Sequence, residues 1–200
     1  MILIDLQSDF IDGAMPVPGT AEVLPAVARL ATAFRTARRP IVHAIRLYRP
    51  DGSNVDTVRR AAIEAGVRVV APGTAGVDLP AALTEGRTVP LDTDLLLDGR
   101  PQSLSDQEIV LYKSRWSAFH RTQLADWLAE HRVDSVIVAG CNLPNCPRAT
   151  LFDAVSLDLR SAVVVDAVSQ ATPERLADLG LIGVGLLTVD EVEGGLRERG

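Results

Sequence analysis

Residues 136–154 read VIVAGCNLPNCPRATLFDA, an apolar run followed by a short polar segment and a helical pattern. The apolar run that ends at Gly140 is typical of a buried parallel strand, and residues 148–157 have helical spacing. Pro147 is favoured at the first position of a helix, where its missing N–H costs nothing. The sequence therefore predicts a strand, a short turn and a helix, with Cys146 at the junction of turn and helix.

Cys146 is open to two interpretations at this position. The start of a helix offers free backbone N–H groups and the positive end of the helix dipole, and both favour a thiolate. The thiolate is the form of cysteine that acts as a nucleophile. A free cysteine is also commonly a small buried hydrophobic residue. This stretch alone does not separate a nucleophile from a packing residue.

Strand and helix patterns alternate on both sides of this stretch. Apolar runs predict strands at residues 2–6, 40–45, 108–112, 135–139, 162–165 and 184–188. Helical patterns lie between them, whereas residues 66–100 are rich in Pro and Gly and predict short edge pieces and a helical turn near residues 79–83. The alternation predicts an α/β fold, with three α/β/α layers around a central, mainly parallel sheet of about six strands.

The composition predicts one globular domain over residues 1–200. The chain is 47% apolar and carries a net charge of −6, with scattered arginines, which argues against nucleic acid as a partner. No apolar run reaches the ~18 residues of a membrane helix, and the N-terminus lacks a basic leader. Cys141 and Cys146 are too close together to form a disulfide framework, so we expect a cytoplasmic protein without a membrane partner.

Reactive side chains stand at the predicted carboxyl ends of three strands. Asp5 ends the first strand, Cys146 follows the fourth, and Lys113 ends the third as the only lysine of the chain. Open α/β sheets bind their ligands outside these strand ends. Asp5 alone is equally well read as a cap of the following loop. Three such groups converging at one edge of the sheet, however, predict a catalytic cluster.

Three ordered sequence blocks resemble the isochorismatase-like cysteine hydrolases, a family that includes nicotinamidases, N-carbamoylsarcosine amidase and ureidoacrylate hydrolase. Residues 4–10, IDLQSDF, are similar to the family's D-x-Q-x-D-F block. Lys113 followed by SAF at 117–119 is similar to K-x-x-x-S-A-F. The third block is VAG at 138–140, with Cys146 six residues beyond the glycine. The resemblance spans almost the whole chain.

The resemblance implies a role for each of these residues. Asp5 is expected to be the general base, Lys113 to stabilise the developing charges, and Cys146 to attack a carbonyl carbon. The family also implies a cis peptide bond between Cys141 and Asn142. That bond is expected to aim the N–H of Asn142, together with that of Cys146, at the oxyanion of a tetrahedral intermediate.

Further residues are expected at the pocket, and no metal is expected there. The candidate substrate-binding residues are Gln7, Arg46, Trp116, Phe119 and Asn142. Nicotinamidases hold a metal through an aspartate and histidines after the second strand, but residues 43–52 here read HAIRLYRPDG, without a D-x-H motif. We therefore expect neither a metal nor another cofactor. Family members are commonly dimers or larger, so the resemblance also implies a homo-oligomer.

The sequence thus favours a metal-independent cysteine amidohydrolase. It is expected to cleave the C–N bond of a small amide, lactam or ureido substrate through a thioester on Cys146. One alternative is an isochorismatase-type hydrolase that uses Asp5 as an acid on a vinyl ether. The other alternative is a non-catalytic protein of the same fold that binds a small ligand.

Overall fold

The central sheet of the computed structural model, which describes residues 1–198, has seven strands. They are β1 (Ile2–Ile4), β2 (Ile41–Ile45), β3 (Gln102–Ser105), β4 (Glu108–Tyr112), β5 (Ser135–Gly140), β6 (Arg160–Val168) and β7 (Gly185–Leu187). Their order in the sheet is β3-β4-β2-β1-β5-β6-β7. All neighbouring pairs are parallel except β3 and β4, which are antiparallel. β1 lies at the centre.

Helices cover both faces of the sheet. They are α1 (Ser8–Ile11), α2 (Thr20–Thr36), α3 (Thr57–Glu64), α4 (Thr93–Leu97), α5 (Leu124–Glu130), α6 (Cys146–Ser156), α7 (Pro173–Leu181) and α8 (Val189–Arg197), with 3₁₀ turns at Ala75–Val77 and Ala81–Leu83. Ile2 and Ile4 of β1 pack in the core beneath α5, α6 and α7. Leu3 points to the opposite face and packs with α2 and α8. This alternation of side chains along a strand gives the predicted three-layer α/β/α fold, which is confirmed.

The six predicted strands are all present, and the seventh was missed. β3 has the sequence QSLS, whose residues alternate between half-buried and exposed, and it lies at the edge of the sheet. The hydrophobic pattern that marks a parallel strand buried on both faces is absent from such an edge strand. Among residues 1–198, no helix is both long enough and apolar enough to span a bilayer.

Gly140 allows β1 and β5 to approach closely just before Cys146. It is the last residue of β5, pairs with Ile4 of β1 and has a φ of 118°. A Cβ atom on Gly140 would lie 2.3 Å from the carbonyl oxygen of Ile4. Only glycine fits this close approach, which sets the turn before Cys146 directly against the end of β1.

Candidate active site

Asp5 and Lys113 form a buried ion pair at the carboxyl edge of the sheet. Lys113 Nζ donates a hydrogen bond to Asp5 Oδ2 at 2.8 Å, and the lysine side chain is fully buried. Asp5 has a left-handed φ of 52°, and its N–H donates to the carbonyl of Ala44 at 2.9 Å. A non-glycine residue held in this conformation stores strain of about 1–3 kcal/mol, and such strain is common at functional sites.

The backbone around Cys146 is fixed by hydrogen bonds. Cys146 is the first residue of α6, Asn145 is its N-cap, and Pro147 follows at the second position instead of the predicted first. Thr150 Oγ donates to the carbonyl of Cys146 at 2.8 Å and accepts from the N–H of Ala118 at 3.0 Å. These bonds tie α6 to the segment that follows Lys113.

Burial of the Cys146 thiol opposes its ionisation, which the position at the helix start alone did not indicate. Burial raises the pKa of Cys146 above its ordinary value, and the charge of Asp5 raises it further. Lys113 and Arg46 lower the pKa, but by less. The sequence predicted the helix start, the ammonium and the carboxylate near Cys146, but not how deeply the thiol is buried.

The second carboxylate oxygen of Asp5 is available to accept a proton. Oδ2 is bound by Lys113, whereas Oδ1 is buried and has no hydrogen-bond partner among residues 1–198. A buried carboxylate oxygen without a partner is costly, and its persistence needs an explanation. Since Asp5 lies close enough to Cys146 to shift the pKa of the thiol, Oδ1 is suited to take the thiol's proton.

Arg46 is a positively charged residue that contacts the sulfur of Cys146. Its side chain is buried at the carboxyl end of β2, and Nη2 lies 3.6 Å from Cys146 Sγ. Nη1 donates to the carbonyl of Ser114 at 3.1 Å and to Asp56 Oδ2 at 3.3 Å. The sequence analysis placed Arg46 only among the candidate substrate-binding residues, and its contact with the nucleophile was missed.

Gln7 holds the backbone of Arg46. Its side-chain oxygen accepts from the N–H of Arg46 at 2.8 Å, and its side-chain nitrogen donates to the carbonyls of Arg46 at 2.9 Å and Val77 at 3.2 Å. Gln7 is fully buried. In this structure it therefore orients Arg46, and its contact with a substrate stays a prediction.

Asp56 is a second residue that the sequence analysis missed. It is buried, and besides Arg46 its Oδ2 accepts from Tyr48 Oη at 3.2 Å and from Arg59 at 3.4 Å. It also caps α3 by accepting from the N–H of Arg59. An aspartate just before a helical pattern is a recognisable N-cap, but its ion pair with Arg46 depends on the tertiary fold.

The predicted cis peptide bond is absent. All peptide bonds within residues 1–198 are trans, so the expectation for Cys141–Asn142 is wrong for this structure. The positive φ of Gly140 already reverses the chain here, and a trans bond avoids a cost of about 3–4 kcal/mol. The N–H groups of Asn142 and Cys146 have no acceptor within the described part of the chain, so their oxyanion role stays a prediction.

The remaining candidate substrate-binding residues differ in exposure. Trp116 is 40% exposed, in the loop after Lys113. Phe119 is half-buried and packs against the core cluster that contains Cys146. Asn142 donates from its side chain to Gln170 at 3.1 Å. A substrate contact of each stays a prediction.

Histidine takes no part in the cluster. His43 is buried on β2, and its Nε2 lies 2.7 Å from Glu108 at the start of β4, while His120 is exposed. Within the described residues 1–198, no three His, Cys, Asp or Glu side chains are grouped so that they could hold a metal ion. The expectation of metal-independent chemistry stays a prediction.

Comparison with known proteins gives a consistent family assignment. The family model described as "Isochorismatase domain" matches residues 1–184. A protein of Arabidopsis thaliana named "Probable inactive nicotinamidase" is 32% identical over 96% of this chain and 92% of its own length. N-carbamoylsarcosine amidase of an Arthrobacter species is 26% identical over 86% of this chain, which spans 60% of that enzyme's length. An isochorismatase family protein of Desulfovibrio vulgaris superimposes with a TM-score of 0.81 at 28% identity, over 98% of this chain and 96% of that one.

Proposed function

The chain belongs to the isochorismatase family of hydrolases, and on that premise we propose that it is a cysteine amidohydrolase acting on a small molecule. The reaction is cleavage of the C–N bond of an amide, lactam or ureido group through a thioester on Cys146. The observation that carries the proposal is the joining of Asp5, Lys113 and Cys146 at one buried edge of the sheet, from strands far apart in sequence.

Acylation begins with a protonated thiol. Asp5 takes the thiol proton as Cys146 Sγ attacks the carbonyl carbon, so that the S–C bond forms while the carbonyl electron pair moves to oxygen. The oxyanion is stabilised by the N–H of Cys146, which has no acceptor within the described residues. As the C–N bond breaks, the amine leaves with the proton held by Asp5, and a thioester remains on Cys146.

Deacylation uses the same base. Asp5 takes a proton from a water molecule whose oxygen attacks the thioester carbon. The S–C bond then breaks, the sulfur regains its proton from Asp5, and the carboxylic acid product is released. Lys113 keeps the Asp5 carboxylate in place throughout and offsets its buried charge.

The relatives support an amidase at different levels of detail. One of them is named an amidase that acts on N-carbamoylsarcosine. Another is named a probable inactive nicotinamidase, a name that concerns the plant protein and its activity on nicotinamide only. In this chain Asp5 and Lys113 are hydrogen-bonded to each other, and both lie near enough to Cys146 to affect the pKa of its thiol, which favours catalysis here.

A panel of small amides, lactams and ureido acids, assayed for release of ammonia or amine, tests the proposal. The wild-type protein is expected to turn over at least one member, and Cys146→Ala is expected to lose at least about a thousandfold in kcat, as is usual when a covalent nucleophile is removed. Cys141→Ala is the matched control, because Cys141 is a buried thiol in the same turn that has no role in the mechanism.

Intact mass spectrometry adds a direct readout. A substrate mixed with wild-type protein and quenched early is expected to leave an acyl adduct on Cys146 that Cys146→Ala lacks. If Cys146→Ala turns substrate over at the wild-type rate, the thioester mechanism is refuted, and a reaction driven by Asp5 alone takes its place.

A further inference from the structure

We propose that Arg46 is a fourth catalytic residue, whose guanidinium stabilises negative charge on Cys146 Sγ as the thiol proton leaves and again when the thioester breaks. This proposal deepens the proposed function and rests on it. The contact that carries it is the 3.6 Å separation between Nη2 and Sγ, made by a side chain that is only 1% exposed.

The guanidinium is held so that one of its edges faces the sulfur. Nη1 is bound by the carbonyl of Ser114 and by Asp56 Oδ2, whereas Nη2 has Cys146 Sγ as its partner. Gln7 fixes the backbone at Arg46 from both sides. A planar guanidinium with one nitrogen anchored has little freedom to turn, so the direction of Nη2 is preorganised.

The charges of the cluster favour an anion at the sulfur. Lys113 pairs with Asp5, while Arg46 and Arg59 share the single carboxylate of Asp56. With Cys146 protonated, these contacts leave one positive charge in excess. A thiolate brings the cluster to neutrality, and buried charges are stable only when they are compensated in this way.

Charged side chains from three strand ends surround the thiol of Cys146 and influence its ionisation. Asp5 from the end of β1 opposes the thiolate, and Lys113 from the end of β4 and Arg46 from the end of β2 favour it. α6 presents its own N-terminus to the sulfur. Because an arginine stays protonated at every accessible pH, Arg46 contributes a constant positive charge while Cys146 titrates.

A thiolate-stabilising role differs from that of a substrate anchor. An anchor binds substrate and transition state alike, so its removal raises KM and leaves kcat nearly unchanged. A group that stabilises charge on sulfur during bond formation and cleavage acts on the barrier, so its removal lowers kcat. Arg46 already has three protein partners, which favours the second effect.

The decisive experiment measures the rate of alkylation of Cys146 by iodoacetamide from pH 6 to 10, in a Cys141→Ala background. In this reaction the S–C bond forms and iodide leaves, so the rate follows the thiolate fraction without any substrate. Arg46→Gln is expected to raise the apparent pKa of Cys146 by about one unit and to slow alkylation below that pKa about tenfold. Arg46→Lys, which keeps the charge, is expected to lie between the two.

Arg59→Gln is the matched control, because Arg59 binds the same Asp56 carboxylate but makes no contact with the sulfur. Because the Arg59 side chain is 29% exposed and does not touch the sulfur, its removal is expected to shift the apparent pKa of Cys146 much less than the removal of Arg46. Identical profiles for Arg46→Gln and the wild type, or an equal shift in Arg59→Gln, overturn the proposal. If Arg46→Gln does not fold, Arg46→Gln/Asp56→Asn removes the guanidinium beside the sulfur together with its carboxylate partner. Its apparent pKa for Cys146 is expected to rise by less than that of Arg46→Gln, and no rise overturns the proposal.

Turnover, where a substrate has been found, separates the two roles of Arg46. A fall in kcat of about tenfold with KM within a factor of two supports charge stabilisation on sulfur, and a rise in KM alone refutes it. Alkylation needs no substrate. The pH profile therefore tests the role of Arg46 even if the protein hydrolyses none of the amides, lactams and ureido acids in the panel.

Discussion

Lys113→Met tests how much the buried ion pair between Asp5 and Lys113 contributes to the free energy of unfolding. Methionine has a similar length and no charge, so it removes the ammonium while filling its space. The carboxylate of Asp5 is then left without its partner at 2.8 Å in a site that is only 5% exposed. Breaking a buried pair from one side costs about 3–5 kcal/mol, so the variant is expected to unfold at a much lower urea concentration.

The double variant shows whether the cost comes from the pair itself. Asp5→Asn keeps the shape of the side chain, and asparagine tolerates the left-handed φ of 52° at this position. Asp5→Asn/Lys113→Met carries neither charge, and its loss of unfolding free energy is expected to be at least about 2 kcal/mol smaller than the sum of the single losses. None of the three variants is expected to show turnover.

The assay is urea unfolding followed by circular dichroism at pH 7, with an exposed pair as the reference. Arg100 and Asp98 also form an ion pair, 3.5 Å apart, but their side chains are 61% and 67% exposed. Arg100→Met is therefore expected to leave the midpoint unchanged within error. If the losses at Asp5 and Lys113 add to within about 0.5 kcal/mol, the reasoning that couples the two residues is wrong.

Two further predictions concern residues outside the cluster. Gly140→Ala is expected to lower the unfolding free energy by more than about 2 kcal/mol in the urea assay and to abolish turnover, because its Cβ would clash with the backbone of β1 and its φ is 118°. Gly194→Ala is the control, because no atom lies within 4 Å of its added Cβ, and it is not expected to destabilise the protein. Burial opposes the charge of Glu108, but bonds from Arg35 and His43 lower its pKa to about 2. Its stabilising contribution is therefore complete above about pH 4.5 and lost as the pH falls towards 2, so the unfolding free energy of Glu108→Gln should depend less on pH in this window.

The positions of the strands could be predicted because most of them are buried on both faces. β2 has five consecutive buried residues and β1 three, which leaves a continuous apolar run in the sequence. β3 carries no such run because one side of it faces solvent at the sheet edge. Its place is set by the antiparallel pairing with β4, a contact that local sequence patterns do not record.

The candidate site could be predicted only in part, for a related reason. Asp5, Lys113 and Cys146 could be placed at one edge because each follows a strand, and parallel strands end on the same side. Arg46 ends a strand in the same way, and that signal was available. The direction of its Nη2 and the burial that raises the pKa of Cys146 depend on packing across elements.

The central position of β1 in the sheet determines when the site can form during synthesis and folding. β1 precedes the other six strands of the sheet in the sequence, yet its neighbour β5 ends at Gly140, and the nucleophile follows six residues later. The base and its lysine are 108 residues apart, and the arginine and the thiol are 100 apart. A nascent chain therefore has no assembled reactive centre until α6 has been translated. The reactivity of Cys146 is then a measure of folding across the centre of the sheet, since the four side chains lie at the ends of β1, β2 and β4 and at the start of α6.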